Sequence, residues 1–208
     1  KLRVRENVLI LGPNGSGKSS IIDLINRNIY PIENDNSIFR LFNSELINIW
    51  EARAKINCVN SEIKYRINKE MKVFELIISG FYGKYCKIKN IRQNERQEAN
   101  DLIKIMSLEK IANKKLKYLS DGEMQIALIA RAIINNPQVL ILDEPSINLD
   151  IKAKNFLIKK IKELSKKDLS ILCVTHDIDM ITKIYDRIIL LKDRQIIADG
   201  NPCEVMNS

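Results

Sequence analysis

The sequence predicts an α/β domain built on a largely parallel sheet, with a helical segment inserted between two of its strands. Three observations carry this expectation. Continuous apolar runs, above all Val139-Leu140-Ile141-Leu142 and residues 171–174, have the composition of strands covered on both faces. These runs alternate with longer stretches of helical pattern. A glycine-rich loop, Gly12-Pro13-Asn14-Gly15-Ser16-Gly17-Lys18-Ser19, joins the first run to the first helical stretch.

In chain order, the run at 8–11 is the first strand and 18–27 the first helix. The pattern between them, G-x-x-x-x-G-K-S, binds the phosphates of a nucleoside triphosphate when a strand precedes it and a helix follows, as here. Its glycines let backbone N–H groups converge on phosphate oxygens, a conformation that side chains would obstruct. The following helix directs the positive end of its dipole at the same oxygens. Lys18 supplies a mobile charge for the β- and γ-phosphates, Ser19 a hydroxyl for Mg²⁺, and the expected binding set runs from Gly12 through Ser20.

A second strand is expected at 55–59. From about 62 to 136 the strand–helix alternation stops, and helices are expected at 73–79, 92–106 and 121–135. This stretch reads as a helical subdomain inserted into a nucleotide-binding core of 1–61 and 137–208, so that the chain is a P-loop NTPase core with one insertion. The last inserted helix opens on Leu119-Ser120-Asp121-Gly122-Glu123, a hydroxyl and free N–H groups at a helix start, which is an anion-binding end. The strand 139–142 then runs into Asp143 and Glu144. A buried strand ending in two carboxylates delivers them to the sheet edge where a phosphate loop holds its metal: Asp143 for Mg²⁺, Glu144 to polarise a water for in-line attack. A helix at 152–164 carries Leu157, Ile158, Ile161 and Leu164 at helical spacing, and its lysines read as a solvated outer face. Strand 170–175, helix 178–185 and strands 187–191 and 195–198 complete the domain, with no internal repeat and no low-complexity linker.

Composition bounds the function. A chain of 208 residues with 45% hydrophobic content can bury a substantial core. No apolar run approaches the roughly 18 residues of a spanning helix. Four cysteines lie far apart, with no C-x-x-C pair and a single histidine, which argues against zinc and against a disulfide framework; Cys58 and Cys173 read as buried reduced thiols of a reducing cytoplasm. The balance of 34 basic to 26 acidic side chains, net +8, is scattered and not clustered as a nucleic-acid site would be. The start Lys-Leu-Arg-Val-Arg has no signal-peptide pattern, and the phosphate loop follows it so closely that the first strands of the domain are expected to lie outside this chain.

With five motifs in order, the chain resembles the nucleotide-binding domain of ATP-binding cassette (ABC) proteins. Gly12 to Ser19 is similar to the Walker A loop, Leu119 to Glu123 to the signature L-S-G-G-Q, and Val139 to Glu144 to Walker B; Ser146 to Asp150 is similar to the D-loop and Val174-Thr175-His176-Asp177 to the switch histidine. The tail Asp199-Gly200-Asn201-Pro202 resembles the usual turn before a last short helix. The resemblance implies a head-to-tail homodimer, or a paired cassette, with two ATP molecules between the subunits. Each ATP would lie on Lys18, Ser19 and Asp143 of one subunit, be covered by Ser120 and Gly122 of the other, and be flanked by Asp150; His176 would contact the γ-phosphate and Glu144. Two departures stand out: Asp121 and Glu123 replace the usual glycine and glutamine of the signature, and Ser61 stands where a glutamine after the second strand is ordinarily found. No aromatic residue precedes the loop to stack on adenine.

What the resemblance implies for function is an ATP-hydrolysing subunit, cytoplasmic and peripheral on the inner face of the membrane, that drives transmembrane permease subunits. The segment from Val73 to Phe81 is similar to cassettes of metal-chelate and molybdate-type importers. The alternative is a soluble cassette acting as a switch on ribosomes or nucleic-acid assemblies, but the chain lacks the long coiled coil of chromosome-maintenance heads and the second cassette of translation factors. Direct nucleic-acid binding is not expected. A GTPase is disfavoured because Asn68-Lys69-Glu70 is followed by Met71, not by the aspartate of N-K-x-D.

Overall fold

The computed structural model describes residues 2–32, 38–42, 44 and 48–206. Among the described residues six strands form one sheet: β1 (Val8–Leu11), β2 (Ile56–Val59), β3 (Val139–Asp143), β4 (Ser170–Thr175), β5 (Arg187–Lys192) and β6 (Gln195–Gly200). Their order is β2-β3-β4-β1-β5-β6, parallel except for the antiparallel β5–β6 hairpin. The helices are α1 (Lys18–Ile25), α2 (Ile49–Lys55), α3 (Ile63–Arg66), α4 (Val73–Ser79), α5 (Gln93–Ile105), α6 (Asp121–Ile133), α7 (Ile151–Leu164) and α8 (Pro202–Met206).

The apolar strands divide by alternation between two cores, as a sheet covered on both faces requires. Val8, Ile10, Ile141, Leu172 and Val174 face α1 through Ile22, while Leu9, Leu11, Leu140, Leu142 and Cys173 face a larger cluster with α4, α5, α6 and α7. The helices between β2 and β3 therefore share a core with the sheet. Leu76, Ile77 and Ile78 of α4 and Ile126, Ala127 and Ile129 of α6 are almost wholly enclosed in it. Asn57 of β2 donates to the Ala132 carbonyl at 2.6 Å and so ties the end of α6 to the sheet edge.

Three local expectations fail. Residues 178–185 hold only one 3₁₀ turn, Ile178–Met180. Met180, Ile184 and Tyr185 are buried at spacings that mimic a helix, but Asn7 N–H donates to Asp186 Oδ2 and the Asn7 carbonyl accepts from Asp186 N, both at 2.8 Å, drawing the chain extended into β5. Lys55, expected to begin a strand, ends α2, a helix with no counterpart in the sequence reading; Asn48 caps it by accepting from Trp50 N. The lysines of α7 are not all solvated: Lys160 is buried, donating to the Ile105 carbonyl at 2.8 Å and pinning α7 to α5.

Candidate functional site

Parallel order places the C-terminal ends of β1, β4, β3 and β2 side by side, and the loops that leave them carry the residues of interest. After β1 the loop 12–17 turns through Gly17, at φ 100°, into α1. Among the described residues no side chain caps this helix start, and its first turn holds no acidic residue, so its N–H groups and dipole are left for an anion. Pro13, Asn14, Gly15, Ser19 and Ser20 are exposed, Gly12 and Gly17 half-buried, and Ser16 and Lys18 buried. Lys18 Nζ folds onto its own loop, donating to the Gly12 and Pro13 carbonyls at 2.7 and 2.9 Å. The Ser16 hydroxyl is enclosed, with no hydrogen-bond partner among the described residues. Orphan N–H groups, an enclosed ammonium and an unpaired hydroxyl form a donor set that suits a polyphosphate.

After β3, Glu144 sits in left-handed backbone, φ 48°, a conformation a non-glycine residue keeps only where surroundings fix it. Its N–H donates to the Val174 carbonyl at 2.8 Å. Thr175 Oγ1 donates to Glu144 Oε2 at 2.8 Å, and His176 Nδ1 lies 2.8 Å from Glu144 Oε1. Lys18 Nζ approaches the same carboxylate to 4.0 Å. Glu144, His176 and Lys18, expected to act together, are therefore brought together. Thr175 belongs with them; it was legible only as a member of the switch-histidine motif.

Asp143 is half-buried beside Glu144, and burial first, then the Glu144 charge, push its carboxyl up to about 6 despite Lys18. Such a site is short of positive charge. Among the described residues no three His, Cys, Asp or Glu side chains are arranged to hold a metal by themselves. A carboxylate at the end of β3, beside a loop suited to polyphosphate, has the chemistry by which Mg²⁺ is commonly held, one or two carboxylates together with substrate phosphates. The raised carboxyl also has a sign for stability. The fold favours the protonated form, so the benefit is present below the ordinary carboxylate range and is lost as pH rises through about 6. Asp143→Asn is expected to raise the nucleotide-free Tm at pH 7.5 by about 2–4 °C, roughly 1 kcal/mol after allowance for solvent screening. The gain should vanish near pH 4. Calorimetry across that range checks both, and a pH-independent difference would contradict the assignment.

The loop that follows, 144–150, ends at Asp150, whose Oδ1 accepts from Ala153 N at 2.8 Å and caps α7. Ser146 Oγ donates to Asp177 Oδ2 at 2.7 Å. Lys154 of α7 pairs with Asp177 at 2.8 Å and Asp179 at 3.0 Å. Burial alone would raise Asp177, but Lys154, Ser146 and a backbone N–H together hold it low. Ser146, Asp177 and Asp179, with Glu144 and His176, line a cleft of about 430 Å³. Lys154 was missed by the sequence reading, since it lies in a lysine-rich helix whose pattern says only that one face is polar.

Ser61 follows β2 at the same sheet edge, half-buried, one strand out from Asp143. Ser120 and Gly122 stand apart. Ser120 is exposed at the start of α6, where Oγ accepts from Glu123 N at 3.2 Å and Glu123 Oε2 accepts from Ser120 N at 2.9 Å. As a cap acceptor, Ser120 keeps its hydroxyl proton to donate. The two departures in this loop have local reasons: Asp121 pairs with Lys64 of α3 at 3.2 Å, and Glu123 completes the capping box and pairs with Lys114 at 3.3 Å. Gly122 abuts α7 so closely that a Cβ there would lie 2.7 Å from the Ala153 methyl. Among the described residues no hydrogen bond or ion pair joins 119–123 to the phosphate loop.

The family described as ABC transporter matches residues 1–147. An uncharacterised ABC transporter ATP-binding protein of Lactococcus lactis, YmeB, is 31% identical over 211 residues, covering 100% of this chain and 80% of the relative. Among solved structures, cbiO1 from Clostridium perfringens, part of the ABC transporter complex cbiONQ, is similar with a TM-score of 0.83 and 26% identity, covering 100% of this chain and 82% of that one. The cassette MJ0796, solved as a dimer in a post-hydrolysis state bound to ADP and Pi, is similar with a TM-score of 0.74 and 28% identity over 97% of this chain and 88% of that one.

Proposed function

The chain belongs to the ABC transporter family as an ATP-binding cassette, and from that premise we propose how its residues divide the work of ATP hydrolysis. It is an ATPase, the subunit that powers a membrane transporter. No described helix is long and apolar enough to cross a membrane, so the spanning part of the transporter belongs to other chains or segments.

In our reading the triphosphate lies along Gly12, Pro13, Asn14, Gly15, Ser16, Gly17, Lys18, Ser19 and Ser20. The Lys18 ammonium exchanges the carbonyls of Gly12 and Pro13 for β- and γ-phosphate oxygens. Ser19 and Asp143 would hold Mg²⁺, which when bound neutralises charge developing on the phosphate oxygens. Glu144 takes the proton of the attacking water. His176 keeps Nδ1 on Glu144 and presents Nε2 to the γ-phosphate, which sets both the tautomer and the ring direction. Ser120 and Gly122 have no triphosphate of their own subunit within reach, so they complete the site of a second cassette, and Asp150 lies at that seam. The assembly is a head-to-tail homodimer or paired cassette, docked on transmembrane permease subunits at the cytoplasmic face. The part of the insertion at about 62–90 would press on those subunits.

The observation that carries this reading is the Glu144 carboxylate, held by Thr175 and His176 at 2.8 Å and facing Lys18 at 4.0 Å on one sheet edge. Titration of MgATP into the purified chain tests it. Lys18→Ala is expected to weaken binding about 10- to 100-fold, the loss of one or two charge-assisted hydrogen bonds to phosphate. Unchanged affinity would remove the phosphate loop from the site.

A further inference from the structure

The polar groups around the Glu144–His176 pair form a continuous path into α7, and the path ends on Lys154. Thr175 Oγ1 donates to Glu144 Oε2 and accepts from Asp177 N at 3.0 Å. Asp177 Oδ1 accepts from Asp179 N at 3.1 Å, and its Oδ2 receives both Ser146 Oγ and the Lys154 ammonium. Lys154 also reaches Asp179 Oδ2, so it grips the turn immediately after His176 at two points. The Lys154 and Asp177 side chains are only 19% and 20% exposed, which sets this pair apart from the solvated ion pairs of the surface.

The consequence is mechanical. Residues 175–179 leave the sheet as an irregular turn, held on one side by Glu144 and on the other by Lys154. His176 is half-exposed, and among the described residues its ring has one hydrogen-bond partner, Glu144, so its direction depends on where the flanking Thr175 and Asp177 are held. Sub-ångström placement of a group that orients a nucleophile matters: a shift of about 1 Å can cost about 10²-fold in rate.

We propose that Lys154 is a positioning residue for the hydrolytic step: by clamping Asp177 and Asp179 to the first turn of α7, it fixes His176 against Glu144. It touches neither nucleotide nor metal. The inference rests on the roles proposed above for Glu144 and His176. The residue next to Lys154, Ala153, meets Gly122 of the signature loop, so the same helical turn contacts both the turn that holds a subunit's own histidine and the loop offered to the opposite site.

The test uses the tag-free chain, whose single histidine makes every imidazole nitrogen signal that of His176. Steady-state ATPase kinetics and ¹⁵N imidazole spectra are recorded for the parent, Lys154→Met, Lys154→Arg, Asp177→Asn and the Lys154→Met/Asp177→Asn double variant. Lys154→Met is expected to lower kcat roughly tenfold, with KM for ATP within about twofold and the His176 Nδ1 signal displaced. Lys154→Arg should restore both. Because the two partners act through one contact, the double variant should be no slower than the slower single variant. A parental kcat in Lys154→Met, a slower kcat with an unmoved His176 signal, or a double variant whose losses multiply would each overturn the proposal. If Lys154→Met is too unstable to assay, Asp177→Asn gives the same two readouts from the other side of the contact. Failure of the underlying reading looks different: Glu144→Gln and His176→Ala would then turn over at the parental rate.

Discussion

Glu144→Gln is expected to lower kcat by about 10²- to 10⁴-fold, the range that a positioned general base contributes, while MgATP remains bound. The substitution is isosteric, so the strained backbone at φ 48° and the contact with Thr175 have no steric reason to change. An amide keeps one acceptor oxygen for the Thr175 hydroxyl or the His176 ring, but it cannot take a proton from water. If two cassettes close around ATP and reopen only after hydrolysis, the variant should accumulate as an ATP-bound dimer, which light scattering with and without MgATP measures directly. Turnover at the parental rate would dismiss Glu144 as the base. A variant that binds ATP yet stays strictly monomeric would dismiss the sandwich.

The second large effect belongs to a residue that no hydrogen bond or ion pair among the described residues joins to the phosphate loop of its own subunit. Ser120→Arg is expected to reduce ATPase activity by about 10²- to 10³-fold, the scale seen when a transition-state hydrogen-bond donor is removed. ATP affinity of the isolated subunit should be unchanged. The arginine deletes the hydroxyl donor and places a long side chain on an exposed helix start. Loss of the cap costs about 0.5–2 kcal/mol of stability, so the folded fraction is checked by thermal melting alongside. Calorimetric titration of the monomer and phosphate release from the full assembly separate the two effects. Equal activity in this variant would end the case for a shared site, whereas a matching loss of monomer affinity would mean that Ser120 serves its own subunit's nucleotide.

Much of this was legible in one dimension, and for identifiable reasons. A phosphate loop works through backbone N–H groups, glycine geometry and one lysine, all within eight residues, so the sequence carries nearly the whole device. Asp143 and Glu144 were legible because an apolar strand must deliver its last residues to the sheet edge. The helix start at Ser120 was legible as a position, but the free N–H groups expected there are in part taken up: Ser120 and Glu123 close a capping box. The switch histidine needed more than spacing. That role for His176 is an expectation from a resemblance in motif order, since one histidine after a strand has no local signature of its own; the structure shows its Nδ1 at Glu144.

Where the sequence misled, a distant partner overrode the local pattern. Residues 178–185 have helical spacing of apolar groups, yet Asn7, far away in the chain, holds Asp186 and draws the segment straight. Lys160 and Lys154 look like their neighbours on α7, but one meets the Ile105 carbonyl and the other a pair of aspartates.

What the sequence determined by itself is the chemistry that short segments contain: the loop for phosphate, the strand with two terminal carboxylates, the helix start at Ser120, and the alternation that makes a sheet covered on both faces. What only the tertiary structure decided is which of these meet. Strand order β3-β4-β1 sets Glu144, His176 and Lys18 on one edge, while the signature loop is held against α3 and α7 instead. The physical reason is range: N–H geometry, capping and periodicity act over a few residues, whereas ion pairs and packing join residues that the chain alone keeps far apart.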